Sequence, residues 1–218
     1  MALTVQSAAP APQLGNALPD HPIIGEQLTT LLEEMHMAAA QKVLVHESLK
    51  AQHKLMPSWF PVDVWAEVES RIEAIDIAAV DLPVYQKYVS QDQATSLILF
   101  FQGPTGDRIG QSLAERSLES INSAGSGIAP EPSVAQSAKL LADGELWAKR
   151  LEELTAPDRS KIRPAIDYLR SVLPLIGDEQ NVAYNKKVNE EFNTVLKMEQ
   201  KKIAAAEIAA AGQTHTQQ

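Results

Sequence analysis

The residues of this 218-residue chain with the best claim to chemistry are its five histidines, several adjacent carboxylates, two short glycine-bearing turns and a few aromatic side chains. His46-Glu47 starts a His-Glu-x-x-His pattern, which on a helix places two imidazoles one turn apart on a zinc ion with the glutamate as base. The fifth position is Lys50, so the second ligand is missing. On a continuous helix His46 and His53 share a face but stand two turns apart, about 10 Å, too far to chelate one ion. With His36 they read as surface histidines, and no metal or cofactor is expected.

The remaining motifs fail for stated reasons. Gly103-Pro104-Thr105-Gly106 lacks the Gly-Lys-Ser/Thr ending and the preceding strand of a phosphate loop. Gly125-Ser126-Gly127 is too short for a nucleophile elbow. Glu33-Glu34, Glu152-Glu153 and Glu190-Glu191 are neighbours that point to different parts of a helix surface, where solvation is the default. A hydrolase built on paired carboxylates would need two acids converging in a cleft with raised pKa values, and no catalytic residue can be assigned from sequence. Trp59, Phe60, Trp65, Tyr85 and Tyr88 are candidates to line an apolar pocket between helices, since such pockets combine aromatic bodies with a few polar tips.

The elements that would carry these residues are helical. The chain is 44% hydrophobic but alanine-rich and only 5% aromatic, and Val, Ile and Thr never form the alternating runs of a strand. Residues 1–20 hold five Ala and three Pro and read as a disordered leader. Ile24, Leu28, Leu31, Leu32 and Met35 fall at helical spacing, and Val43, Leu44 and Leu49 continue the pattern until Met56-Pro57 and Phe60-Pro61 interrupt it. A second helix follows from Pro61, with Val64, Trp65, Val68, Ile72 and Ile75 on one face. Asp81-Leu82-Pro83 opens a short helix carrying Val84, Tyr85 and Tyr88.

Ser90 with Gln93 forms a capping-box pattern for a helix over about 91–102, closed by Gly103. Pro104 suits the first turn of another helix reaching about Ile121, in which Gly106, Gly110 and Ala114 recur every four residues and admit a close neighbour. Residues 123–134 read as a linker. Beyond it, one or two helices broken at Gly144 carry Leu146, Trp147, Leu151 and Leu154. A helix capped by Thr155 or Ser160 follows, holding Pro164 in its first turn if Ser160 is the cap. The last helix spans about 178–211, ends almost wholly in alanine and is frayed after Gly212. The expected fold is therefore all-α, a helical bundle or stack of helical hairpins with a long C-terminal helix. The division is 1–20 leader, 21–122 N-terminal helical domain, 123–134 linker and 135–218 C-terminal helical region.

Composition removes whole function classes. A formal charge of −9 is the wrong sign for nucleic acid, which needs concentrated Lys and Arg; the Lys186-Lys187 and Lys201-Lys202 pairs are interleaved with Glu. With no cysteine, thiolate catalysis, zinc–thiolate sites and disulfides are excluded. The longest apolar run, Leu97 to Phe101, is far shorter than the ~18 residues of a transmembrane helix. The opening MALTVQSAAPAPQ lacks the basic and apolar regions of a signal peptide but has the small-residue character of a segment that follows a cleaved one.

The stretch at 82–110, LPVYQKYVSQDQATSLILFFQGPTGDRIG, has a tyrosine-bearing helix, a capped helix ending in two aromatics, and a Pro-x-Gly turn into a further helix. It resembles the signature of a bacterial exported family, the domain of unknown function numbered twenty fifty-nine, with Tyr85 and Tyr88, Ser90 to Gln93, Phe100-Phe101, and Pro104 with Gly106 in the corresponding places. Phe101 stands where that family usually has tyrosine, and Asp92-Gln93 where it usually ends in glutamate. The resemblance implies an all-helical fold and a periplasmic or exported location, and no reaction. Read from the residues alone, Phe100 and Phe101 make a tight helical hairpin with a large apolar foot, each contributing roughly 1.5–3 kcal/mol on burial. The leading functional expectation is non-catalytic binding of an envelope protein partner, or of a second copy, through a helical surface. The alternative is a binder of a small apolar ligand between helices.

Overall fold

The computed structural model describes residues 18–58, 60–124 and 134–214. These residues form eight helices: α1 Gly25–Glu34, α2 Met37–Leu55, α3 Val62–Glu73, α4 Ile77–Tyr85, α5 Gln91–Phe101, α6 Gly103–Ala124, α7 Val134–Glu153 and α8 Ala156–Thr214. The fold is all-α with a long C-terminal helix. The β-type pairing among the described residues is one antiparallel bridge, Pro22 with Ser90, beside which the Ile23 N–H donates to the Val89 carbonyl and the Gln91 N–H to the His21 carbonyl. Residues 1–17 of the expected leader, 125–133 of the expected linker and 215–218 of the expected frayed end lie outside the described residues.

Two hydrophobic clusters hold the helices together. The first gathers Leu28, Leu31 and Leu32 of α1, Val84 and Tyr85 of α4, Leu97, Phe100 and Phe101 of α5, Ile109 of α6, and Ile162, Ile166, Leu169, Val172 and Ile176 of α8. The second is built from Leu49 of α2, Val64, Trp65, Val68 and Ile72 of α3, and Val195 of α8. Helices on either side of 123–134 thus share the first cluster, and α8 runs through both. The apolar stripe of α3 is the one read from its spacing, because an i, i+3, i+4 pattern can bury only one side of a helix.

Three boundaries differ from the sequence reading. The first helix is not continuous. It breaks at Met35-His36, where His36 has φ +57°, although no Gly or Pro marks the site. The cause is tertiary: Gly110 of α6 lies so close that a Cβ on it would sit 2.6 Å from the Glu34 carbonyl oxygen, and His36 Nε2 meets Asp107 Oδ1 at 2.7 Å. Second, α4 starts four residues earlier than the Asp81-Leu82-Pro83 reading, capped by Asp76, whose Oδ1 accepts the Ala79 N–H at 3.1 Å; Pro83 is interior.

Third, Gly144 and Gly177 do not break their helices, so α7 is single and α8 runs unbroken for 59 residues, about 90 Å at 1.5 Å per residue. The cap of α8 is Thr155, whose Oγ1 accepts the Asp158 N–H at 3.3 Å, which places Pro164 two turns inside the helix rather than in its first turn. Pro83, Pro164 and Pro174 are all exposed, where solvent can meet a carbonyl that loses its helical donor.

Candidate functional site

Around the 82–110 stretch the chemistry is that of a clamp. Ser90 Oγ accepts the Gln93 N–H at 3.2 Å and Gln93 Oε1 accepts the Ser90 N–H at 2.9 Å, which starts α5. At its other end α5 delivers Phe100 and Phe101, both 0% exposed, against each other at 5.2 Å between ring centroids and against Trp147 of α7 at 5.0 and 6.2 Å. Gly103 has φ +84°, a conformation that side chains disfavour, and Pro104 follows as the second residue of α6. A Cβ on Gly106 would sit 2.2 Å from the Phe101 carbonyl oxygen, so only glycine lets α6 leave α5 at this angle.

The last carbonyls of α5 have no partner within their own helix. Arg150 of α7 supplies one, donating from Nε to the Phe100 oxygen and from Nη2 to the Leu99 oxygen, each at 2.8 Å. Buried Thr105 donates to Glu153 Oε1 at 2.7 Å. That bond, helped by Arg150, lowers the Glu153 carboxyl below its ordinary value. Arg170 of α8 lies over the Trp147 ring at 5.1 Å. Arg150, Thr105 and Glu153 together hold α5, α6 and α7 against one another.

The five aromatic pocket candidates do not converge. Trp59 lies outside the described residues. Trp65 is buried in the second cluster, stacked on His53 at 5.0 Å, with half-buried Phe60 against the same cluster. Tyr85 is buried in the first cluster, and half-buried Tyr88 packs beside it and donates its hydroxyl to Glu179 Oε1 at 2.6 Å. That bond raises the Tyr88 hydroxyl, while Lys87 and Tyr88 lower the Glu179 carboxyl.

The histidines are spread over separate pairs, His36 with Asp107, His46 with Glu73 and His53 with Glu69. Among the described residues no three metal-ligating side chains come together. The acid that the tertiary structure singles out is Asp81, 2% exposed. Its Oδ2 accepts Gln41 Nε2 of α2 at 2.9 Å and Gln180 Nε2 of α8 at 2.7 Å. Burial raises its carboxyl above the ordinary value, against the two amide donors that lower it. Burial also raises Tyr85, one turn on, with Asp81 adding to the effect. Gln41 Oε1, Trp65 Nε1 and the Tyr184 hydroxyl are buried without a partner, and burial pushes that hydroxyl up to about 12.

Sequence reasoning placed Asp81 at a helix start and passed over Gln41 and Gln180. A signal existed: Asp81 falls on the apolar stripe that links Ala78 to Val84 and Tyr85, where an acid is out of pattern. Arg150 carried no such signal.

Two of the open surfaces among the described residues carry exposed apolar side chains on α8. An open groove of ≈ 490 Å³ runs between α4 and α8, with Val80, Pro83, Val182 and Ala183 along it and Lys87 and Glu179 at its edge. Farther along α8, every side chain from 200 to 208 is exposed, Ile203 by 59% and Ile208 by 74%. No helix among the described residues is long and apolar enough to cross a membrane. The chain matches no known protein family, no curated protein and no solved structure.

Proposed function

We propose that this is a non-catalytic, exported helical protein that binds a partner protein in the cell envelope, with the end of α8 as the docking element. The observation that carries the reading is the arm beyond Glu199, where Ile203 and Ile208 stand exposed on a helix otherwise made largely of alanine. An isolated alanine-rich helix gains little from facing water. Its small side chains suit a second helix packed at close range, with the two isoleucines, about 140° apart around the axis at 3.6 residues per turn, as the large contacts on either flank. The occupant is a partner that presents an apolar helical face of its own. A second copy of this acidic chain, at −9, must overcome its own repulsion to fill the same place. The exported location rests on the resemblance at 82–110 and on the Ala- and Pro-rich opening segment.

The test is photo-crosslinking in cells of the source organism from positions 203 and 208, with exposed Leu55 as the control position. One adduct of the same mass from both arm positions, absent at 55 and lost when the other isoleucine is changed to glutamate, supports the reading. An adduct of twice the chain mass makes the occupant a second copy. Adducts indistinguishable from those at 55 refute docking by the arm, and recovery of the protein only with cytoplasmic markers refutes the location.

The alternative, an apolar ligand held between helices, is supported by the groove along α4 and α8, where Val182 is 71% exposed. Native mass spectrometry of gently purified protein tests it. An added small-molecule mass that disappears with Val182→Asp supports it, and an unliganded mass counts against it.

A further inference from the structure

One buried carboxyl ties three helices together beside the first cluster. On α2, Gln41 falls between Met37 and Ala38, which pack on the first cluster, and Val45 and Leu49, which belong with the second. On α8, Gln180 falls between Ile176 and Ala183, both with the first cluster. Asp81 of α4 accepts from both amides through a single oxygen. The group is therefore a three-helix polar tie along the first cluster, and on α2 it stands next to the residues that join the second.

What surrounds the carboxyl decides how it behaves. From α2 the facing group is Gln41 and from α8 it is Gln180, both uncharged. On α4 itself the titratable neighbour is Tyr85. From α1, Gly25 lies against Leu82. No Lys, Arg or His among the described residues forms an ion pair with Asp81. A neutral carboxyl can accept both amides here at no electrostatic cost. An ionised one keeps the same two donors but has lost its water and has no counter-ion.

We infer that Asp81, Gln41 and Gln180 form a protonation-dependent latch, which ties α2 and α8 to α4 in acid and loosens as the carboxyl ionises. The sign follows from burial: a carboxyl titrating higher folded than unfolded contributes fully below the ordinary value of 3.8. Its contribution is lost as pH rises through the folded value.

The experiment is amide hydrogen exchange on the full chain and on Asp81→Asn, corrected for intrinsic rates, with ¹³C-carboxyl titration of the unaltered protein alongside. Asn keeps an acceptor for the amides but cannot ionise. In the unaltered chain, protection of α4 and of residues 176–188 should fall about tenfold per pH unit between the ordinary carboxyl value and Asp81's own titration point, then level off. The Asn variant should lack this fall. Equal profiles in the two proteins overturn the latch. Should the Asn variant fail to fold, the carboxyl titration still decides: an Asp81 signal titrating at or below the ordinary value overturns the inference, and one titrating well above it together with the fall in protection supports it.

Discussion

Gly106→Ala and Gly144→Ala make the same chemical change inside a helix and should move stability in opposite directions. Alanine is favoured over glycine in a helix interior by about 1 kcal/mol. At Gly144 an added Cβ meets nothing within 4 Å, so that gain should appear whole. At Gly106 the Cβ would lie 2.2 Å from the Phe101 oxygen, 2.4 Å from its carbonyl carbon and 2.6 Å from the Phe100 oxygen, where real Cβ atoms stay beyond 3.0 Å. Relief requires the start of α6 and the end of α5 to separate by close to an ångström. Phe100 and Phe101, wholly buried, and Arg150, bonded to the Leu99 and Phe100 carbonyls, resist that movement.

Overpacking of this kind costs typically 1–3 kcal/mol, and weakening the charged hydrogen bonds adds about 1.5–3 kcal/mol. After the propensity gain, a net loss of about 1.5–5 kcal/mol is expected for Gly106→Ala, against a gain of about 1 kcal/mol for Gly144→Ala. In a chain of this size each kcal/mol moves Tm by about 2–4 °C. Urea unfolding, followed by tryptophan fluorescence and by helicity, reads both variants. A Gly106→Ala protein as stable as the parent would refute the close-approach account of the α5–α6 turn.

Three further outcomes follow from the same geometry. Arg150→Ala should cost about 2–3 kcal/mol in urea unfolding, because it removes a charged donor from two helix-end carbonyls; Arg150→Lys should recover only part, since an ammonium lacks the planar fork. Thr155→Ala should cost about 1 kcal/mol and increase amide exchange at the start of α8, where the hydroxyl caps the Asp158 N–H. Glu179 is held below its ordinary 4.5 by Lys87 and Tyr88, so its contribution is present above that value and is lost as pH falls through the lowered one. Glu179→Gln should flatten that acid limb of the stability profile and leave the neutral region little changed.

The sequence alone was enough for what depends on neighbours within a turn or two. Helical period marked the buried faces of α1 and α3, and the Ser90–Gln93 spacing marked a capping box, since both act inside one local segment. Gly103-Pro104 located the end of one helix and the start of the next for the same reason. Gly144 misled because glycine only weakens a helix, by about 1 kcal/mol, and does not by itself end one. The break at His36 was invisible because its cause, the approach of Gly110 and the Asp107 bond, lies about 70 residues away in the chain.

The same holds for what is chemically distinctive. Gln41, Asp81 and Gln180 are three unremarkable polar residues until α2, α4 and α8 bring them together, 40 and 99 residues apart. Burial, which sets the protonation of Asp81, is a property of the assembled core and not of any local segment. The aromatic candidates show the converse: side chains alike in sequence are divided between two cores by the tertiary structure, because the apolar stripes of α3 and α4 face different clusters. Local periodicity therefore determined that the chain is helical. Only the long-range packing of α8 across both clusters decided which polar groups lie inside and which apolar ones are left facing water.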